Sequence, residues 1–241
     1  MEPTQLIARL FTSRPVLSVT AGLLRSGALC QGSAARPQVA LTFDDGPHAK
    51  WTPLVLDCLD QLKVKATFFV VGRAVARYPD IVREIQDRGH EIGTHLYHHQ
   101  RPNNSSRVKL RAEIEQSIAQ LTDVLAAPVR WLRFPYGDAA GITARELLAK
   151  FGVRPVYWTV SAQDSTARNT QAIVDRVAAA IRPGAIILMH DCLSEQDTGL
   201  PSKYNSDRTA LLAALPKLGE LLKLRGLGAT TLSELSSQIT Y

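Results

Sequence analysis

Two adjacent carboxylates close the run Leu41-Thr42-Phe43-Asp44-Asp45-Gly46-Pro47, and a Gly-Pro turn follows them. Acids this close disfavour joint ionisation, so a site that keeps both charged ordinarily contains a cation. Co-ligands stand at His95 and His99, whose four-residue spacing sets two imidazoles on one side of a helical turn. With one carboxylate from Asp45 they form a His-His-Asp set that leaves positions open for water and substrate, the donor pattern of a catalytic zinc site. Spacing alone is a weak signal, since paired surface histidines are common. Four of the six histidines nevertheless fall within positions 90–99, beside a strand end bearing two acids. His98 is the ambiguous neighbour, and the spacing favours His99.

If Asp45 binds the ion, Asp44 is left to accept a proton from metal-bound water, whose pKa a divalent ion brings from about 15.7 towards ~7. Arg133 is the natural holder of Asp44, because a guanidinium keeps a carboxylate ionised and fixed; a purely structural salt bridge is the competing reading. His190 ends another apolar run, where it would protonate a leaving group with Asp164 or Asp191 orienting it. Together these residues describe a metal-dependent hydrolase.

The elements that must position them are legible from residue 38 onward. Short β-branched runs alternate with amphipathic segments, the pattern of βα units and a mainly parallel sheet. Strands are expected at Gln38 to Phe43, Ala66 to Val71, Glu91 to Thr94, Trp131 to Phe134, Arg154 to Thr159, Ala185 to Met189 and Gly228 to Thr231. Helices are expected after Thr52-Pro53, with Thr52 as cap; after Ser106, through Leu110, Ile114, Leu121 and Leu125; and after Asp207, with Pro216 interrupting. The fold class is therefore α/β, a distorted (β/α) barrel of about seven parallel strands. Its strand ends share one rim, and the ionisable residues crowd that C-terminal rim and not the other.

The 241 residues suit one such domain, read as 37–241, preceded by an extension or leader over 1–36. Arg9 and Arg14 precede an apolar run, Pro15 to Leu24, but Glu2 and Arg25 make a poor signal pattern, which favours a cytoplasmic over a secreted protein. No stretch reaches the ~18 apolar residues a membrane span needs. Cys30, Cys58 and Cys192 are odd in number and far apart, so no disulfide framework is expected. The net charge of +6 comes from cations spread along the chain, without the aromatic-interleaved basic stripe of a nucleic-acid binder.

Five motifs in order make the chain similar to the NodB-homology polysaccharide deacetylases, carbohydrate esterase family 4, and in its closing region to the short chitooligosaccharide deacetylases. They are Thr42-Phe43-Asp44-Asp45-Gly46, His95 to His99, Arg133-Phe134-Pro135-Tyr136-Gly137, Trp158 to Asp164, and Ile187-Leu188-Met189-His190. The resemblance implies Asp45, His95 and His99 as ligands of one divalent ion, usually Zn2+ with Co2+ as the alternative. It implies Asp44 as base braced by Arg133, His190 as acid paired with Asp164, and the Tyr136 backbone N–H as an oxyanion donor. The implied reaction is removal of N-acetyl groups from N-acetylglucosamine oligomers or polymers by attack of metal-bound water on the acetyl carbonyl.

The chain departs from the family pattern in places. Leu96 replaces the Ser or Thr that stiffens the ligand loop, and His98 and Gln100 replace Ser and Pro. The fourth motif keeps Asp164 but has Ser161 and Ser165 where an acid and an aromatic are usual, and Ile187 stands where a Leu lines the acetyl pocket. A wider, less stiff groove follows, with Trp51, Tyr97 or Tyr136 as replacement platforms for a sugar ring. The competing functions are an O-acetyl esterase on xylan-like glycans, a carbohydrate-binding pseudoenzyme, and an amidohydrolase of small non-sugar amides.

Overall fold

The computed structural model describes residues 27–139, 141–167, 169–192 and 206–237. The apolar run Pro15 to Leu24 lies outside them. In chain order the described elements are β1 (Gln38–Asp44), α1 (Trp51–Leu62), β2 (Thr67–Val70), α2 (Gly72–Arg77), α3 (Pro79–Asp87), β3 (Glu91–Thr94), α4 (Arg107–Leu125), β4 (Trp131–Leu132), α5 (Ala144–Phe151), β5 (Arg154–Pro155), β6 (Val160–Ser161), α6 (Thr170–Ala180), β7 (Ile186–His190), α7 (Thr209–Leu224), β8 (Gly228–Thr230) and α8 (Leu232–Ser236).

The strand order is β5-β4-β3-β2-β1-β7-β6, with β8 also on β1, and every pairing is parallel. Gln38, Val39 and Ala40 pair with β8, whereas Thr42, Phe43 and Asp44 pair with β2, so both strands lie along one side of β1 and β7 along the other. The single strand expected over Arg154 to Thr159 is two: β5 and β6 stand at opposite ends of the order. Residues 156–159 cross the gap between them, with the Thr159 amide donating to the Ile186 carbonyl at 3.0 Å. The curled sheet is thus a distorted barrel, closed by irregular chain and not by a ladder.

Residues 28–32, part of the stretch read as an extension, help fill that gap. The Leu29 amide donates to the Pro155 carbonyl at 2.9 Å, the Tyr157 amide to the Leu29 carbonyl at 2.8 Å, and the Gly32 amide to the Gly184 carbonyl at 2.8 Å. Ala28, Leu29 and Cys30 are buried.

Period-2 alternation divides the side chains into two layers. Val39, Leu41, Phe43, Phe68, Val70, Leu132, Ile187 and Met189 face the surrounding helices and join the main core. Ala40, Phe69, Trp131, Val156 and Ile186 face inward and meet Leu232 and Leu235 of α8. The short helix is therefore a plug at the bottom of the barrel. Its Ser233 amide and the Trp131 indole N–H both donate to Glu91, at 3.1 and 2.8 Å. The inward layer continues up β1 through Thr42 to Asp44 and up β7 through Leu188 to His190, which delivers those polar residues to the upper mouth.

Local details refine the expected ends. Ser106 caps α4 as its sequence suggests, accepting from the Lys109 amide at 3.3 Å. Thr52 does not cap α1, which begins at Trp51. Its hydroxyl accepts from the His48 amide at 2.8 Å and donates to the buried Asp191 carboxylate at 2.5 Å, tying the turn after β1 to the end of β7. The three cysteines are free.

Candidate active site

β1 ends on Asp44, and the turn after it carries Asp45 in the left-handed region at φ 77°. The same conformation recurs at Leu96, His99 and Tyr136, with φ of 65°, 56° and 62°, all in loops of this rim. Each such non-glycine residue costs about 1–2 kcal/mol, a strain the packed surroundings must hold. These bends aim side chains from separate strands at one point.

Asp45, His95 and His99 converge so that one donor atom of each lies within 4.8 Å of the others, and all three residues are buried. The Asp45 Oδ1 atom is 3.2 Å from His95 Nε2 and 3.0 Å from His99 Nε2. His95 Nδ1 sits 2.7 Å from the Arg133 carbonyl, an atom able only to accept, so Nδ1 carries a proton and Nε2 is the nitrogen left to face the site. His95 Nε2 thus turns toward Asp45, and Asp45 Oδ1 is buried without a hydrogen-bond partner. Such an arrangement fits a shared cation. Burial opposes the charge on Asp45, yet the facing imidazoles hold its carboxyl well below the usual carboxylate range. Burial likewise lowers the pKa of His99 against the pull of Asp45, which keeps that ring neutral and able to ligate.

His98 is excluded from this group. Its backbone amide and Nδ1 lie 2.8 and 2.6 Å from the two oxygens of Glu113 on α4. Leu96 corrects an expectation: it is wholly buried in the main core and does not widen a groove. The ligand loop is held instead by backbone, the Leu96 and Tyr97 carbonyls accepting from the Gly72 and Arg73 amides of α2 at 2.9 and 3.0 Å. Ile187 is corrected as well. It lies on the helix-facing side of β7, whereas Leu188 shares the inward side with His190.

Asp44 is held by Arg133, whose Nη1 donates to Asp44 Oδ1 at 2.7 Å and to Thr42 Oγ1 at 2.8 Å. Nη2 reaches the Tyr157 carbonyl at 3.2 Å, and the guanidinium stacks 4.2 Å from the Phe69 ring. Burial lowers the Arg133 pKa, and the Asp44 charge opposes that shift. The Tyr136 ring centroid lies 5.1 Å from that of His99, and the Arg101 guanidinium lies over the Tyr136 ring at 4.0 Å from its centroid.

Across the mouth, His190 pairs with Asp44 in the β1–β7 ladder. Asp164 accepts from it twice, from the ring at Nδ1 at 3.0 Å and from the backbone amide at 3.1 Å. Burial disfavours protonated His190, but Asp164, then Asp45 and Asp44, more than offset it and push its pKa up to about 9. Of the two candidate partners, Asp164 is the one that touches the ring, whereas Asp191 turns away to Thr52. Burial raises the Asp191 pKa to about 7. Three contacts had no sequence signal: Glu113 on His98, Thr52 on Asp191, and Arg208, whose Nη1 donates to Asp164 Oδ2 at 3.0 Å.

Residues 31–156 match the polysaccharide deacetylase family model, just over half of the chain. The chain belongs to the polysaccharide deacetylase family. It is 36% identical over 198 residues to a chitooligosaccharide deacetylase of Sinorhizobium fredii, covering 79% of this chain and 87% of that protein. It is 35% identical over 202 residues to a peptidoglycan-N-acetylglucosamine deacetylase of Bacillus cereus, covering 82% and 87%. The crystal structure of the Bc1960 peptidoglycan N-acetylglucosamine deacetylase superposes with a TM-score of 0.77 at 29% identity, over 88% of this chain and 94% of that one. The polysaccharide deacetylase is thus a hydrolase of the deacetylase class on a barrel of that kind.

Proposed function

We propose that this deacetylase removes N-acetyl groups from N-acetylglucosamine units of chitooligosaccharide-like or peptidoglycan-like chains, with Asp45, His95 and His99 holding one divalent ion, zinc foremost. One observation carries the reading: two histidine–carboxylate groups of opposite character meet at one rim, one with donor atoms grouped closely enough to hold a cation and the other a histidine paired with a carboxylate. When bound, the ion supplies Lewis acidity toward the acyl oxygen and brings water within reach of deprotonation near neutral pH.

The chain's own residues do the rest. Asp44, fixed by Arg133, takes a proton from the attacking water as that water adds to the acetyl carbon. The backbone N–H of Tyr136 is assigned to the oxygen that gains charge in that step. An amine leaves an acyl carbon poorly unless its nitrogen is protonated. His190, protonated on the side away from Asp164 until about pH 9, gives that proton as the C–N bond breaks, and the products are acetate and a free amino sugar. Ser165, half-buried beside Asp164, is the surviving reason to expect a groove with less aromatic surface than the family pattern.

Acetate release from chitooligosaccharides, peptidoglycan, insoluble chitin and acetylxylan at equal acetyl concentration, with zinc and with chelator, tests the reading. The expected result is zinc-dependent release from the short amino-sugar oligomers first. Preference for acetylxylan would replace the amide reading by the ester one, and no release from any of the four by metal-loaded protein would favour a binding protein or a non-sugar amide.

A further inference from the structure

Arg208 is one of the largest fully buried side chains, and it precedes α7 at the rim beside the proton-bearing half of the site. Its Nη1 donates to Asp164 Oδ2 at 3.0 Å, the same oxygen that accepts the His190 backbone N–H at 3.1 Å. The other oxygen, Oδ1, faces His190 Nδ1 at 3.0 Å. Three donors therefore fix the plane of one buried carboxylate, and two belong to His190. The Arg208 backbone is in turn fixed, its carbonyl accepting from the Leu212 amide at 2.9 Å, and α7 packs against α6 and α1.

A carboxylate buried with an imidazole alone would hold the imidazolium proton tightly. A guanidinium on its far side shares that negative charge, so the proton is bound less strongly while the carboxylate stays ionised. We propose that Arg208 is a positioning residue for the acid step, locking Asp164 against His190 and drawing off part of its charge so that His190 keeps its proton yet can release it. This rests on the role of His190 proposed above. The other charged groups facing His190 are Asp44 and Asp45 of the β1 end; Asp191, next to it in the chain, turns away to Thr52, and on α6 Arg176 reaches the backbone of Gln163, next to Asp164.

The test is the titration of the His190 imidazole by NMR in the zinc-loaded full chain without substrate, assigned by its disappearance in His190→Gln. Arg208→Met should raise the midpoint by roughly 0.5–1 pH unit, less than the ~1–3 units of a directly apposed charge, and should lower kcat while moving the basic limb of the rate profile upward. Arg208→Lys, which keeps the charge, should restore most of the wild-type midpoint. In an Asp164→Asn background the Arg208→Met shift should vanish, because the effect is routed through that carboxylate. An unchanged or lowered midpoint in Arg208→Met, or a shift that persists without Asp164, overturns the proposal. If Arg208→Met does not fold, Arg208→Gln against Arg208→Lys decides, and equal midpoints in that pair overturn it. The titration needs no turnover, so absence of acetate release by the wild type would remove the deacetylation reading and leave the Arg208 result standing.

Discussion

The two histidine–carboxylate groups at the mouth use the same side-chain types to opposite ends. Around Asp45, two imidazoles share one carboxylate, and burial lowers the pKa of His99. Around Asp164, a single imidazole faces a carboxylate whose second oxygen is already occupied, and its pKa rises to about 9. The number of rings and the route of the Nδ1 proton make the difference. His95 spends that proton on a backbone carbonyl and turns Nε2 toward Asp45, whereas His190 points Nδ1 at a carboxylate and keeps its other edge for proton donation. Identical residue types are suited to a cation or to a proton according to what lies behind them.

The sharpest way to break the contrast is the same substitution on both sides. Asp45→Asn should empty the cation site and bring deacetylation to background, while Asp164→Asn should leave metal content at the wild-type level. Elemental analysis of both proteins with parallel acetate assays checks this, and equal metal loss in the two would erase the distinction. Next in size, Asp44→Asn should retain metal and lose ~10² to 10⁴ in kcat, the usual worth of a general base. It also leaves Arg133 buried without its counter-charge, for about 3–5 kcal/mol of stability, visible as a lowered melting temperature.

A smaller effect separates the proton side. His190 is raised to about 9, so it is charged below that pH and activity should fall as the pH passes upward through it. Asp164→Asn removes the main influence raising that value and leaves burial to dominate, so the basic limb of kcat/KM should move to lower pH. His190→Gln should abolish the limb altogether. A limb that persists in His190→Gln belongs to another group.

Much of this was legible because the signals are local. A strand running into Asp44-Asp45, a histidine pair four apart and a Leu188-Met189-His190 strand end each announce themselves within a few residues, and parallel βα units bring their ends to one rim. Period-2 alternation, applied to β7, would also have placed Ile187 on the helix side and Leu188 beside His190. What could not be read was pairing across long separations. Arg208 meets Asp164 from 44 residues away, and Glu113 meets His98 from 15. Neither pairing leaves a periodic trace. The split of the expected Arg154 to Thr159 strand had the same cause, since only barrel closure decides that its two halves join opposite ends of the sheet order.

The smallest predicted effect concerns how the cation half is kept rigid without the hydroxyl its loop lacks. The Leu96 side chain contributes packing alone, and the loop's outer face is clamped by Glu113, which receives the His98 amide at 2.8 Å and meets its ring at 2.6 Å. His98 adjoins His99, a ligand in the proposal above, so loosening this clamp should cost metal affinity before it costs chemistry. Glu113→Gln keeps the shape but loses the charge, and should weaken zinc binding by roughly 10-fold, with kcat at saturating zinc nearly unchanged. Leu96→Ala is the contrasting lesion: deleting a buried leucine should cost about 2–5 kcal/mol of stability through the core. Competition titration with a zinc-binding dye, beside a thermal melt, separates the two. Wild-type zinc affinity in Glu113→Gln would transfer the stiffening to the backbone bonds from Gly72 and Arg73, and the left-handed residues at 96 and 99 would then be held by α2 alone.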